Sequence, residues 1–159
     1  MQEFFNQYAT FIVFIHVLSA IVWVGGMIAI RLTVHPSLQN IESPEIKLGK
    51  TLEIMKRLLN MVIPMIVALI ITAVILAIAE GFEGTPLYSI VIVKEVIWTL
   101  MTTVFIVIYI KRIQSEKFFN QKEFAKAKES LKLIPNLLLP INISLGLIAL
   151  YLGITLRGF

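Results

Sequence analysis

The sequence predicts an all-α integral membrane protein, an antiparallel bundle of four transmembrane helices. Of its 159 residues, 58% are hydrophobic and only 15% are charged, whereas soluble domains are about 45–50% apolar and about 25% charged. The apolar residues are concentrated in four runs. Each run is long enough to cross a hydrocarbon core of about 30 Å, which takes roughly 20 helical residues. We therefore expect one membrane domain over residues 1–159.

The four runs define the spans, which are predicted at residues 8–32, 58–79, 87–110 and 134–156. The first run has no basic segment before it and no small-residue cleavage site within it. We therefore expect it to be a membrane span rather than a cleaved signal peptide.

The basic residues predict the orientation of the bundle. Most of the lysines and arginines lie in the connections 33–57 and 111–133, whereas the connection 80–86 holds only acidic charges. An excess of Lys and Arg marks the cytoplasmic side of a membrane. We expect both termini outside, in the periplasm if this is a bacterial inner membrane protein, and both basic connections in the cytoplasm. The charge pattern of 111–133 favours a helical continuation of the third and fourth spans.

The composition also excludes several classes of site. The chain has no cysteine, so it forms no disulfide, zinc or copper thiolate site, iron–sulfur cluster or covalent c-type haem attachment. The net charge of +4 is explained by the two basic connections. Membrane lipid is the expected surrounding, and nothing in the sequence indicates nucleic-acid binding.

Two ionisable residues lie within predicted spans, His16 in the first and Lys94 in the third. Such groups are costly at membrane depth and usually face a cavity, a cofactor or a partner charge. Counted from the outer ends of their spans, His16 lies about 12 Å deep and Lys94 about 10 Å deep. We expect both at one level, facing one interior cavity. A structural hydrogen bond for His16 and snorkelling of Lys94 to the interface are the alternatives.

Trp23 follows His16 at helical spacing, and Trp98 and Met101 follow Lys94 at helical spacing, so these three are expected to line the same cavity. Gly25 and Gly26 are the other candidate cofactor-binding residues of the first span. Two consecutive glycines remove side chains where a bulky group or another helix comes close. Ordinary core packing is the alternative explanation for the aromatic and methionine side chains.

A second polar set lies at the inner end of the first span. Arg31 is counted among the candidate cofactor-binding residues, and His35 is a weaker candidate metal ligand. His35 is about 28 Å from His16 along a continuous helix, so the two histidines cannot share one metal. A position among the lipid headgroups also explains His35.

A b-type haem suits this residue set better than a metal held by protein ligands alone. It needs one or two axial ligands, an apolar slot and a cation for its propionates. We expect His16 to be an axial ligand, and Lys94 to pair with a propionate or, if deprotonated, to be the other axial ligand. These two are then the candidate catalytic residues. Copper transport normally needs closely spaced Met, His or Cys. Only Met61 and Met65 lie one turn apart.

The same residues resemble a known superfamily. The resemblance rests on four segments in order: His16-x6-Trp23-Val24-Gly25-Gly26, Arg31-Leu32-x-Val34-His35, Met55-Lys56-Arg57, and Lys94 early in the third span. It is similar to the small four-helix relatives of CopD (copper resistance protein D) and HemJ (the membrane protoporphyrinogen IX oxidase). The HemJ resemblance implies haem b, His16 and Lys94 at the family's essential positions, and electrons passing from protoporphyrinogen to a membrane acceptor. The CopD resemblance implies copper handling.

Three functional hypotheses follow. The first is a haem b protein with a redox role, which includes the HemJ-like oxidase. The second is a CopD-like copper transport or copper-handling protein. The third is a cofactor-free accessory or assembly bundle, expected if His16 is packed and hydrogen-bonded. A homodimer through the small residues between Gly146 and Gly153 is a further hypothesis.

Overall fold

Four long helices joined by short connections make up the computed structural model, which describes residues 2–156 without the side chains of residues 2–4 and 6. The helices are α1 (residues 2–38), α2 (Pro44–Glu80), α3 (Tyr88–Asn120) and α4 (Phe124–Thr155). All four are long and apolar enough to cross a membrane, and residues 2–156 contain no strand. The predicted all-α integral membrane bundle is confirmed.

The helices extend well beyond the predicted spans. Most of the basic segments 33–57 and 111–133 is helical, and the connections are only residues 39–43, 81–87 and 121–123. Ser43 caps α2 by accepting a hydrogen bond from the Ile46 backbone N–H at 3.4 Å, and Pro44 at the first helical position suits that start. The basic segments therefore lengthen the bundle instead of forming loops.

Short connections make sequential neighbours antiparallel. Helix α1 packs on α2, α2 on α3 and α3 on α4, and the middle of α1 closes against α4. Helices α1 and α3 therefore lie on a diagonal of the bundle. We call the end where α1 begins, α4 ends and residues 81–87 connect α2 to α3 the termini end. The opposite end, with residues 39–43 and 121–123, is the basic end.

Two helices contain π-helical turns. These are Ile21–Gly25 and Ile30–Val34 in α1, and Ile134–Leu138 in α4. Each π turn is wider than an α turn, so the side chains that follow it are rotated relative to a regular helix. The faces predicted from regular spacing in the first span therefore hold only up to about residue 20.

Helices pack closely in the middle of the bundle around Gly146. A Cβ atom on Gly146 would lie 2.7 Å from Val24 Cγ2 of α1 and 3.2 Å from Met101 Cε of α3. We call Gly146, Val24 and Met101 the Gly146 layer. It brings three helices together at one point and so sets their relative heights.

Candidate functional site

His16 is held against α2 by a hydrogen bond inside the membrane region. Its ring is half-buried, and Nδ1 lies 2.9 Å from Oγ1 of Thr72. Thr72 is itself buried, and its Oγ1 lies 2.7 Å from the carbonyl oxygen of Ala68 and 3.1 Å from that of Leu69. The imidazole therefore has a defined position relative to α2.

Lys94 is seated against α4. The side chain is half-buried, and Nζ lies 3.3 Å from the point where a Cβ atom on Gly153 would be. Because Gly153 has no side chain, the end of the lysine can approach the α4 backbone there. A larger residue would have to push the ammonium group away.

The Gly146 layer allows the heights of the two groups to be compared. His16 precedes Val24 by eight residues and Lys94 precedes Met101 by seven, both toward the termini end. At 1.5 Å per residue, these offsets are about 12 Å and about 10 Å. By this count, the two side chains lie at nearly the same height on the termini side of the layer.

Different helix pairs support the two groups. The first half of α1, which carries His16, packs mainly along α2, while α3 and α4 pack along each other. His16 and Lys94 therefore face the bundle from helices on a diagonal, each resting on a different neighbour. Trp98, one turn from Lys94 on α3, is half-buried at the same end.

Other predicted cavity residues belong to the packed core instead. Trp23 and Met101 are each 3% exposed, and the Trp23 ring packs edge-on against Phe105, with 6.1 Å between centroids. The cavity beside Trp23 has a volume of about 20 Å³ and an apolar lining. Room for a macrocycle is lacking at this level.

The two consecutive glycines differ in what they contact. A Cβ atom on Gly26 would lie 2.7 Å from Leu58 Cδ1, so Gly26 lets α2 approach α1. Gly25 is exposed and has nothing within 4 Å of its Cβ position. Gly25 therefore lies on the outer surface of the bundle.

Arg31 and His35 lie far from His16, near the basic end. Both are half-buried, and Arg31 falls within the second π turn of α1. Among the side chains that the structure describes, no group of three or more His, Cys, Asp or Glu residues is placed to hold a metal ion. This finding gives no support to a copper site built from such ligands.

Sequence reasoning missed Thr72 and the role of Gly153. Thr72 is the sole hydroxyl residue in the predicted span 58–79, and a hydroxyl in the middle of an apolar span is a usable signal. Gly153 was assigned to a dimer surface together with Gly146. Both glycines instead face groups within the chain, Lys94 and the Gly146 layer respectively. The homodimer through these glycines and other small residues of the fourth span stays a prediction.

One further polar group is buried in α4. Asn142 is 0% exposed, and neither its Nδ2 nor its Oδ1 has a hydrogen-bond partner among the described residues. The Trp23 Nε1 atom is in the same situation. Both residues lie close to the Gly146 layer in sequence, where polar atoms have little access to water.

No protein-family model, curated protein or solved structure matches this chain. The resemblance to CopD and HemJ therefore remains a prediction from sequence.

Proposed function

We propose that this protein binds a b-type haem in the termini half of the bundle and serves in electron transfer within the membrane. The observation that carries the proposal is the placement of His16 and Lys94. An imidazole and a primary amine lie at nearly the same height inside an apolar bundle, each held by a different helix. Ionisable groups in such positions are functional candidates by default.

The residues present fit a haem as a donor set. The hydrogen bond to Thr72 engages Nδ1 of His16, and the other ring nitrogen, Nε2, would hold the iron. Lys94 supplies a cation for a propionate, and Trp98 supplies an aromatic surface one turn away. Since the layer around Trp23 and Met101 is packed, the macrocycle would lie on the termini side of that layer.

The haem iron would supply one-electron redox chemistry. The chain's own part is to orient His16, to hold a carboxylate with Lys94 and to seal the site from the basic end by the packing around Trp23. Oxidation of protoporphyrinogen IX and transfer to a membrane electron acceptor would follow from the HemJ resemblance, and they extend the proposal on that basis.

The orientation in the membrane is also part of the proposal. We propose a bacterial inner membrane, with the termini end in the periplasm and the basic end in the cytoplasm. The lysines and arginines of segments 33–57 and 111–133 support this orientation, because positive charge accumulates on the cytoplasmic side. The orientation can be tested with single cysteines introduced at Glu83 and at Lys122. An impermeant thiol reagent added to intact cells labels only the cysteine that lies outside. Labelling at position 83 alone is expected, and labelling at 122 alone would reverse the orientation.

The test of haem binding is an absorbance spectrum of the protein purified in detergent, followed by titration with haemin. We expect a Soret band that shifts on reduction and is lost in His16→Ala. His35→Ala is the matched control, because it removes the other histidine and should keep the band. A spectrum unchanged in His16→Ala removes His16 as the ligand. A colourless protein that takes up copper in stoichiometric amounts favours the CopD-like hypothesis.

A cofactor-free accessory bundle is the second candidate, and two observations favour it. His16 is hydrogen-bonded to Thr72, and the cavity beside Trp23 is only about 20 Å³. On this hypothesis the protein is colourless, binds neither haemin nor copper, and loses stability in His16→Ala without any cofactor present. That combination of results would replace the haem proposal.

A further inference from the structure

The Thr72 hydroxyl has three neighbours and one proton. Its Oγ1 lies 2.7 Å from the Ala68 carbonyl oxygen, 3.1 Å from the Leu69 carbonyl oxygen and 2.9 Å from His16 Nδ1. Carbonyl oxygens only accept hydrogen bonds. A threonine within a helix usually gives its hydroxyl proton to a carbonyl of the preceding turn, and the Ala68 carbonyl oxygen, at 2.7 Å, is the nearest of the three acceptors.

This preference for the backbone indicates which nitrogen of the imidazole carries a proton. Since the Thr72 proton is used on the α2 backbone, the Thr72 oxygen acts as the acceptor toward His16. In this arrangement Nδ1 of His16 carries the hydrogen of that bond. In the neutral ring, the lone pair that can bind a metal is left on Nε2.

We infer that Thr72 is a positioning residue, which holds His16 in the Nδ1–H tautomer and fixes the direction of its ring. Its significance for a haem rests on the proposed function, because a histidine that ligates a metal through one nitrogen usually donates a hydrogen bond from the other. The tautomer itself does not depend on any cofactor. Thr72 lies on α2, so α2 takes part in the site by positioning His16, although the candidate ligands themselves lie on α1 and α3.

Two variants separate the hydroxyl from the shape of the side chain. Thr72→Val keeps the branched shape and removes the hydroxyl, whereas Thr72→Ser keeps the hydroxyl. Circular dichroism and thermal unfolding in detergent confirm that both variants are folded. If Thr72→Val fails to fold, the wild-type and Thr72→Ser spectra still test the tautomer.

The first readout is ¹⁵N NMR of histidine-labelled protein without haem. The His35→Ala background leaves His16 as the single labelled histidine, and the pH is raised until its ring is neutral. We expect the Nδ1–H tautomer in the wild type and in Thr72→Ser, and a mixture or the opposite tautomer in Thr72→Val. An Nε2–H tautomer in the wild type, or a Thr72→Val spectrum identical to the wild type, would overturn the inference.

The second readout is haemin affinity from the Soret band. Loss of such a partner typically weakens metal binding by about 10–100-fold, so we expect a loss of that size in Thr72→Val and near wild-type affinity in Thr72→Ser. If the tautomer is as inferred but haemin does not bind, the proposed function fails and the positioning role stands. If haemin binds through His16 with equal affinity in Thr72→Val, the positioning role fails and the proposed function stands.

Discussion

The two ends of the bundle are held together in different ways. At the basic end, fully buried groups join neighbouring helices: Ser115 Oγ of α3 donates to the Ala127 carbonyl oxygen of α4 at 2.8 Å, and both residues are 0% exposed. At the termini end, half-buried His16 and Lys94 lie on two helix pairs that contact each other less. We infer that stability comes mainly from the basic end and the Gly146 layer. The termini end can therefore carry polar groups that packing alone would not favour.

The largest effect is expected for Gly146→Val, at the boundary between the two halves. The new side chain would meet Val24 and Met101, and Val24 has little rotamer freedom to move away. Overpacking of this kind should cost about 3 kcal/mol in unfolding free energy. Gly25→Val is the control, because nothing lies within 4 Å of its Cβ position. Thermal unfolding in detergent measures both, and equal losses would show that the Gly146 layer is not a stabilising contact.

A smaller loss is expected for Ser115→Ala at the basic end. The change removes the buried hydrogen bond between α3 and α4, and a typical intramolecular hydrogen bond contributes about 1 kcal/mol. Ser89→Ala removes an exposed bond of the same kind, to the Pro86 carbonyl oxygen, and should have almost no effect. If the two variants are equally stable, the basic end does not depend on this contact.

A gain in stability is expected for Asn142→Leu. Both polar atoms of the amide are buried without a partner among the described residues, so an apolar side chain of similar size should raise the unfolding free energy by about 1 kcal/mol. Asn136→Leu, at an exposed position, is the control and should give no such gain. A loss of stability in Asn142→Leu would indicate that the amide is used, which would assign a polar role to the middle of the bundle.

The smallest effect is expected for Gly153→Ala at the termini end. The added methyl would lie 3.3 Å from Lys94 Nζ, the end of a flexible side chain that can move away. Stability should change by less than about 1 kcal/mol, whereas Gly146→Ala, the same change in the same helix, should be more destabilising. Thermal unfolding of the two variants in detergent measures both losses of stability. A larger loss in Gly153→Ala than in Gly146→Ala would contradict the comparison of the two ends.

Part of the site could be predicted because helical rise does not depend on neighbours. Counting residues along the first and third spans predicts His16 and Lys94 at nearly one height. The same counting failed for the face of the first helix. The π turn at Ile21–Gly25 interrupts the regular spacing there. Gly25, its last residue, lies on the surface, and Gly26, the next residue, lets Leu58 of α2 come close. Hydropathy likewise marked only the lipid-crossing part of α2, and the helix in fact begins at Pro44.

The sequence by itself determined that this is a four-helix membrane protein with an imidazole and an amine at membrane depth. Apolar length, the absence of cysteine and the positions of the charges are properties of the chain that any fold must respect. Only the tertiary structure decided what lies next to these two groups. His16 lies against Thr72, and Lys94 lies in the space left at Gly153. The reason is physical: lipid-facing and core-facing residues are equally apolar, so hydropathy does not reveal which helix faces pack together.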